Sequence, residues 1–144
     1  MLKFDPYLHF MGNTEEAMNF YKSIFGGEFT IFARFRDMPG GEKMQHQDQE
    51  KIIHISLVMN NGVTIMATDY LESMGQTLEV GNHFHICMHT ESEAEVERLF
   101  DALIREGKVE MPLNKTFWGA YFGMCRDKFG IQWMISYTYP QNRK

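Results

Sequence analysis

Apolar positions recur with a helical period in two stretches of the chain, and the two stretches match. In residues 13–26 the apolar positions are Ala17, Phe20, Tyr21, Ile24 and Phe25, a stripe at i, i+3, i+4, i+7 and i+8. In residues 92–107 they are Val96, Leu99, Phe100, Leu103 and Ile104, with the same spacing. Each helix start carries a capping signal: Asn13 with Glu16 three later, and Ser92 with Glu95 as a capping box. Each end runs into glycine, Gly26-Gly27 and Gly107, suited to a left-handed C-cap.

Around the helices the pattern is that of strands. Residues 6–11 precede the first helix, and 28–36, 51–60 and 63–69 follow it, with Asn60-Asn61-Gly62 as a hairpin turn. Residues 83–90 precede the second helix, and 108–115, 120–126 and 131–139 follow it, with a turn at Asp127-Lys128-Phe129-Gly130. Each half therefore reads β-α-β-β-β, and the chain is a tandem duplication of one unit. The expectation is one α+β domain over residues 1–144, with module one at about 4–69 and module two at about 83–139. Polar loops at 37–50 and 70–82 interrupt it, at lengths that favour mobility or function over filler.

A module with one helical stripe and one sheet leaves a sheet face that its own helix does not cover. Such a face must be buried or left as a wall, and a concave apolar wall with a few polar groups is the default ligand site. Alternation decides which side chains it carries. Leu8 and Phe10 suit the first helix, which directs Tyr7 and His9 the other way. Phe84, Ile86 and Met88 alternate with His83, His85, Cys87 and His89, so the fifth strand has one apolar and one histidine-rich face. His54 lies on the third strand, and Trp118 and Tyr121 lie at the edges of the sixth and seventh. The candidate ligand-binding residues are Tyr7, His9, His54, His83, His85, Trp118 and Tyr121. His46, in a Gln/Asp-rich loop, reads as a solvated side chain.

Composition narrows the partners. The chain has 144 residues, with 12 Met, 12 Phe, 6 Tyr and 2 Trp, a surplus of bulky soft side chains that excludes disorder. A formal charge of −5, split −4 and −1 between the halves at residue 72, gives no footprint for nucleic acid or an anionic membrane. No export signal or membrane-length apolar run is legible, and two cysteines, Cys87 and Cys125, are no disulfide framework. A cytoplasmic location is the expectation. Aromatic walls favour planar or cationic organic ligands through stacking and cation–π attraction.

Several phrases add a family resemblance. They are Pro6-Tyr7-Leu8 with Gly12-Asn13, Glu16-Ala17 with Phe20-Tyr21, Phe25-Gly26-Gly27, Asp37-Met38-Pro39 and Ala67-Thr68-Asp69. Later come Met111-Pro112-Leu113, Phe117-Trp118-Gly119, Phe122-Gly123, Phe129-Gly130 and Trp133-Met134-Ile135. With this layout the chain resembles the vicinal-oxygen-chelate superfamily (glyoxalase I, extradiol dioxygenases, bleomycin-resistance proteins), and more narrowly its PhnB-like branch. The resemblance implies two modules forming an eight-stranded incomplete barrel, and a homodimer. Metal-dependent relatives take ligands from strands one, four, five and eight. Here strand eight carries no acid, the strand-one position falls at Pro6 or Tyr7, and strand four offers only Asp69 near its end.

The resulting expectation is a glyoxalase-like protein that binds a small planar or aromatic molecule, as a binding protein or as a metal-independent enzyme. No cofactor is expected. The alternative is a metal-dependent isomerase, lyase or dioxygenase, with a divalent metal held by His83, His85 and Asp69. The branch is often labelled as a ubiquinone-pathway methyltransferase, yet no glycine-rich turn follows a strand and opens a helix, so methyl transfer by this chain alone is not expected.

Overall fold

The computed structural model describes residues 1–141; the last three residues of the expected domain span lie outside them. The chain divides into two compact units, residues 1–79 and residues 80 onward. Each is a four-stranded mixed sheet with a helix on one face. The expected β-α-β-β-β order therefore appears twice, in two sheets whose ladders do not join among the described residues. No helix there is long and apolar enough to cross a membrane.

The first unit contains β1 (Tyr7–Phe10), α1 (Thr14–Phe25), β2 (Glu28–Arg34), the single-turn α2 (His46–Gln49), β3 (Ile52–Val58) and β4 (Thr64–Asp69). Its strand order is β1-β4-β3-β2, with β1 parallel to β4 and the other pairs antiparallel. Register places Leu8 beside Ala67 and Ala67 beside Ile55, so one face presents Leu8, Phe10, Ala67, Ile65, Ile55 and Leu57. All six are buried, as are Ala17, Met18, Tyr21 and Ile24 of α1, which packs against β3 and β4. Each buried aliphatic or aromatic side chain contributes about 1.5–3 kcal/mol, so this layer supplies most of what holds the unit together. Phe20 and Phe25, members of the helical stripe, are only half-buried, whereas Met18, outside that stripe, is fully buried.

The second unit contains β5 (Ile86–Thr90), α3 (Glu93–Leu103), β6 (Lys108–Lys115), β7 (Ala120–Arg126) and β8 (Gln132–Thr138), ordered β5-β8-β7-β6. Trp133, Ile135 and Cys125 are buried on the helix side with Val96, Leu99, Phe100 and Leu103. Trp133 Nε1 donates to Asp127 Oδ2 at 2.8 Å, which satisfies the one polar atom of that ring.

Three local expectations are corrected. The fifth strand begins at Ile86, so His83 and His85 lie in the irregular segment before it, and Phe84 is 71% exposed rather than packed on the helix. Asn13 makes no side-chain cap to α1, whereas Ser92 Oγ accepts from Glu95 N at 3.1 Å as its capping box implies. Gly107 is not the left-handed cap of α3: Glu106 takes φ 58°, and Gly107 is needed because a Cβ there would stand 2.5 Å from the Arg126 carbonyl oxygen. The loop at 37–50 is also not featureless. It holds α2 and a short helical turn at Gly41–Lys43, and is entered by another at Phe35–Asp37, with Ser73 Oγ and Lys51 Nζ both donating to the buried Asp48.

Candidate functional site

In the first unit, the period of two that buries Leu8 and Phe10 turns Tyr7 and His9 to the face away from α1. Register sets Tyr7 beside Met66, His9 beside Thr68, Ser56 beside Met66 and His54 beside Ala33. Three of the predicted residues thus share one face. Their rings are in contact: Tyr7 lies 4.7 Å from His9 and 5.8 Å from His54, between centroids. Tyr70, one residue past β4, stacks on His9 at 4.7 Å with planes 17° apart. His54 Nε2 is 2.9 Å from Ser56 Oγ. His9 Nδ1 is buried with no hydrogen-bond partner, and burial holds the His9 pKa below its ordinary value. A neutral ring with Nδ1 as the bare acceptor is the cheapest state for that environment. Tyr70 and Ser56 were not singled out from sequence. Both were legible as continuations of the alternations Met66–Thr68–Tyr70 and His54–Ser56.

In the second unit the helix-free side carries a different chemistry. His85 Nε2 lies 2.8 Å from Glu110 Oε1, and Gln132 Nε2 donates to Glu110 Oε2 at 2.6 Å. Burial raises the Glu110 pKa, but the bonds from His85 and Gln132 and the charges of His85 and Arg126 outweigh it and leave it below the ordinary value. Arg126 is pinned by donating to the carbonyl oxygens of Gly130, at 3.0 Å, and Gly81, at 3.1 Å. Farther along, Cys87 Sγ is 3.7 Å from His89 Nε2, and desolvation raises the Cys87 pKa. Cys125 is buried and its thiol is pushed up to about 12 by burial and the charges of Asp127 and Glu110. Neither thiol has the lowered pKa of an activated nucleophile. Glu110 and Gln132 escaped the sequence reading because β6 shifts register between Val109 and Met111, which breaks the alternation that would have placed Glu110.

The remaining predicted residues do not join these groups. Tyr121 faces α3, where its hydroxyl donates to Glu97 Oε1 at 3.2 Å, so it is withdrawn as a residue of the helix-free face. Trp118 sits in the turn between β6 and β7, 59% exposed, 5.1 Å from Phe117 and 5.8 Å from Phe122 between ring centroids. His83 is exposed before β5. Asp69 is corrected most fully. It lies on the helix side of β4, 2% exposed. Its Oδ1 accepts from Gly12 N, Thr14 N and Thr14 Oγ1, and its Oδ2 from Ile52 N. Those four bonds engage both oxygens from buried neighbours, and the carboxylate holds the start of α1 rather than an ion. With Asp69 so engaged, His85 Nε2 turned to Glu110 and no acid on β8, the residues do not fit the metal set of the wider superfamily. Within neither unit do three or more His, Cys, Asp or Glu side chains of the described residues group as a metal site.

Comparison with known proteins bears on the same geometry. The family model for 3-demethylubiquinone-9 3-methyltransferase matches residues 2–136. The chain belongs to that family. Protein YjdN of Escherichia coli (strain K12) is 34% identical over 94% of this chain and 95% of its own length. The crystal structure of PA1353 from Pseudomonas aeruginosa shares 37% identity at a TM-score of 0.84, covering 96% of this chain and 98% of that one. The PhnB protein of Bacillus cereus shares 26% identity at a TM-score of 0.77, covering 95% and 100%. Glyoxalase and bleomycin-resistance structures share the fold at lower identity. The expected place in the PhnB-like family is thereby established, with the fold of the glyoxalase and bleomycin-resistance structures. The family's name describes methyl transfer, but fold and family carry no chemistry by themselves.

Proposed function

We propose that this PhnB-like protein binds a small planar or aromatic organic molecule on a helix-free sheet face, without a complete metal site. One observation carries the reading: Tyr7, His9, His54 and Tyr70 form a continuous ring surface on the side of the first sheet opposite its helix. Tyr7 is 45% exposed, so part of a ring is open to a partner. Such rings favour flat or cationic molecules by offset stacking and cation–π attraction, and the chain's net charge of −5 does not oppose a cation. The imidazoles add polar atoms that fix the orientation of a ligand held mainly by apolar contact. A cytoplasmic setting and a homodimer belong to the same reading. The two free thiols suit a reducing compartment, and the exposed Ile31 and Phe32 of edge strand β2 suit a covered edge. Light scattering that gives a monomer mass at high concentration would remove the dimer.

The test is a thermal-shift screen with naphthoquinones, catechols, acridines and glutathione adducts, each followed by histidine-selective NMR. At least one flat compound is expected to raise the melting temperature and move the His9 and His54 resonances. Tyr7→Ala and His54→Ala should each weaken that compound about five- to tenfold, in line with about 1–1.5 kcal/mol for a lost ring contact. A screen in which nothing shifts the wild-type protein, or in which the hit ignores both substitutions, would overturn the reading.

A further inference from the structure

Two side chains from separate segments of the second unit bond one carboxylate. Glu110 on β6 is engaged at Oε1 by His85, from the segment before β5, and at Oε2 by Gln132 from the start of β8. With an oxygen bonded on each side, the carboxylate plane is fixed. Arg126, itself tied to two backbone carbonyls, supplies the compensating positive charge from β7. The side chains of His85 and Glu110 are each 23% exposed, so the pair is screened but not sealed.

The hydrogen-bonding inventory sets which tautomer a neutral ring adopts. An ionised carboxylate only accepts, so a neutral His85 keeps its proton on Nε2 and its lone pair on Nδ1. Among the described residues no group hydrogen-bonds Nδ1, and it is not among the buried polar atoms lacking a partner, so it stays within reach of solvent. An imidazole with one nitrogen oriented by a carboxylate and the other bare is arranged as a general base. No nucleophile stands ready beside it, since the nearby Cys87 pairs with His89 and has a raised pKa. What a lone oriented base can do without a co-reactant is move a proton out of a molecule and back into it.

We propose that His85, positioned by Glu110 and Gln132, is the base of a proton-transfer site for small carbonyl compounds with an acidic adjacent C–H, catalysing their tautomerisation. In the step, the C–H bond breaks and its electron pair moves into the carbonyl system to give an enolate. The proton goes to Nδ1, and the resulting imidazolium makes a charge-assisted bond from Nε2–H to Glu110. Return of that proton to oxygen gives the enol, and return to carbon regenerates the ketone. Atoms and electrons balance with no oxidant, reductant or second substrate. The site uses no residue of the Tyr7–His54 ring surface, so each reading can fail without the other.

Phenylpyruvate, whose keto form carries an acidic benzylic C–H, is the probe; exchange of that proton in deuterated buffer is followed by proton NMR. The wild-type protein is expected to exceed buffer by roughly a hundredfold, the lower end of general-base catalysis. His85→Ala should remove the acceleration; if that variant does not fold, His85→Gln is read the same way. Glu110→Gln should slow exchange, and nitrogen-15 NMR of His85 should show the proton redistributed between Nε2 and Nδ1, which loss of a merely structural contact would not produce. Dialysis against EDTA should leave the rate unchanged. Wild-type exchange no faster than buffer, exchange surviving His85 substitution, an unaltered tautomer in Glu110→Gln, or a rate abolished by EDTA would each overturn the proposal.

Discussion

Asp69 shows how one side-chain direction separates two functions that composition cannot tell apart. At the end of β4 an acid on the helix-free face could join a ligand set, whereas on the opposite face it meets the start of α1. Register decides it. Phe10 stands beside Asp69 and both are buried on the helix side, so the carboxylate collects three N–H groups and one hydroxyl. Asp69→Asn leaves only one acceptor oxygen and sets an amide among donors. It should cost about 3 kcal/mol in urea unfolding, typical of a broken buried charge network. A loss below about 0.5 kcal/mol would mean that the helix start does not depend on this residue. The same period of two made Tyr7, His9 and His54 legible as a group. It failed where the strand is irregular or has stopped, at Glu110 beside the β6 register shift and at His83 ahead of β5. Tyr121 went the other way because alternation within β7 gives a side but not the identity of that side until a helix has packed on it.

Secondary structure was far easier to read than capping. Eight strands and two amphipathic helices stand within a few residues of their expected places, since their periods are carried by many side chains at once. A cap rests on one or two residues and is open to replacement by a distant group. The two helix starts illustrate both cases. Ser92 caps α3 locally, accepting from Glu95 N, whereas at α1 the residue in the same position, Asn13, is bypassed because Asp69 reaches Thr14 N from β4. The outcome is an asymmetric pair of substitutions. Ser92→Ala should destabilise by about 1 kcal/mol, the usual worth of a lost N-cap. Asn13→Ala should fall within about 0.5 kcal/mol of wild type, because it removes no bond. Equal losses at the two sites in parallel chemical denaturation would contradict this division of labour.

At the scale of the molecule, duplication supplies two sheets with the same strand order, yet the two helix-free faces have diverged into unlike chemistry. The first bears tyrosines and imidazoles in ring contact, and the second bears a carboxylate bridged by histidine and glutamine. The repeat was legible in the sequence because helical stripes and turns survive duplication; this divergence was not, because it lies in single side chains. It bears directly on metal binding. A resident divalent ion needs donors free to point at one place, and the acid expected from sequence and the one the structure adds are both committed elsewhere: Asp69 to backbone N–H groups and the Thr14 hydroxyl, Glu110 to His85 and Gln132, with none on β8. Filling a true site to a hundred times its dissociation constant adds about 2.7 kcal/mol. For a chain of this size that is about 8 °C in melting temperature. After dialysis against EDTA, titration with zinc, nickel or manganese is therefore expected to raise the melting temperature by less than about 2 °C. Elemental analysis of the purified protein should find metal well below one equivalent. A stoichiometric metal with a shift near the full value would show that donors outside these committed groups converge, and would return the metal-dependent chemistries of the superfamily to this chain.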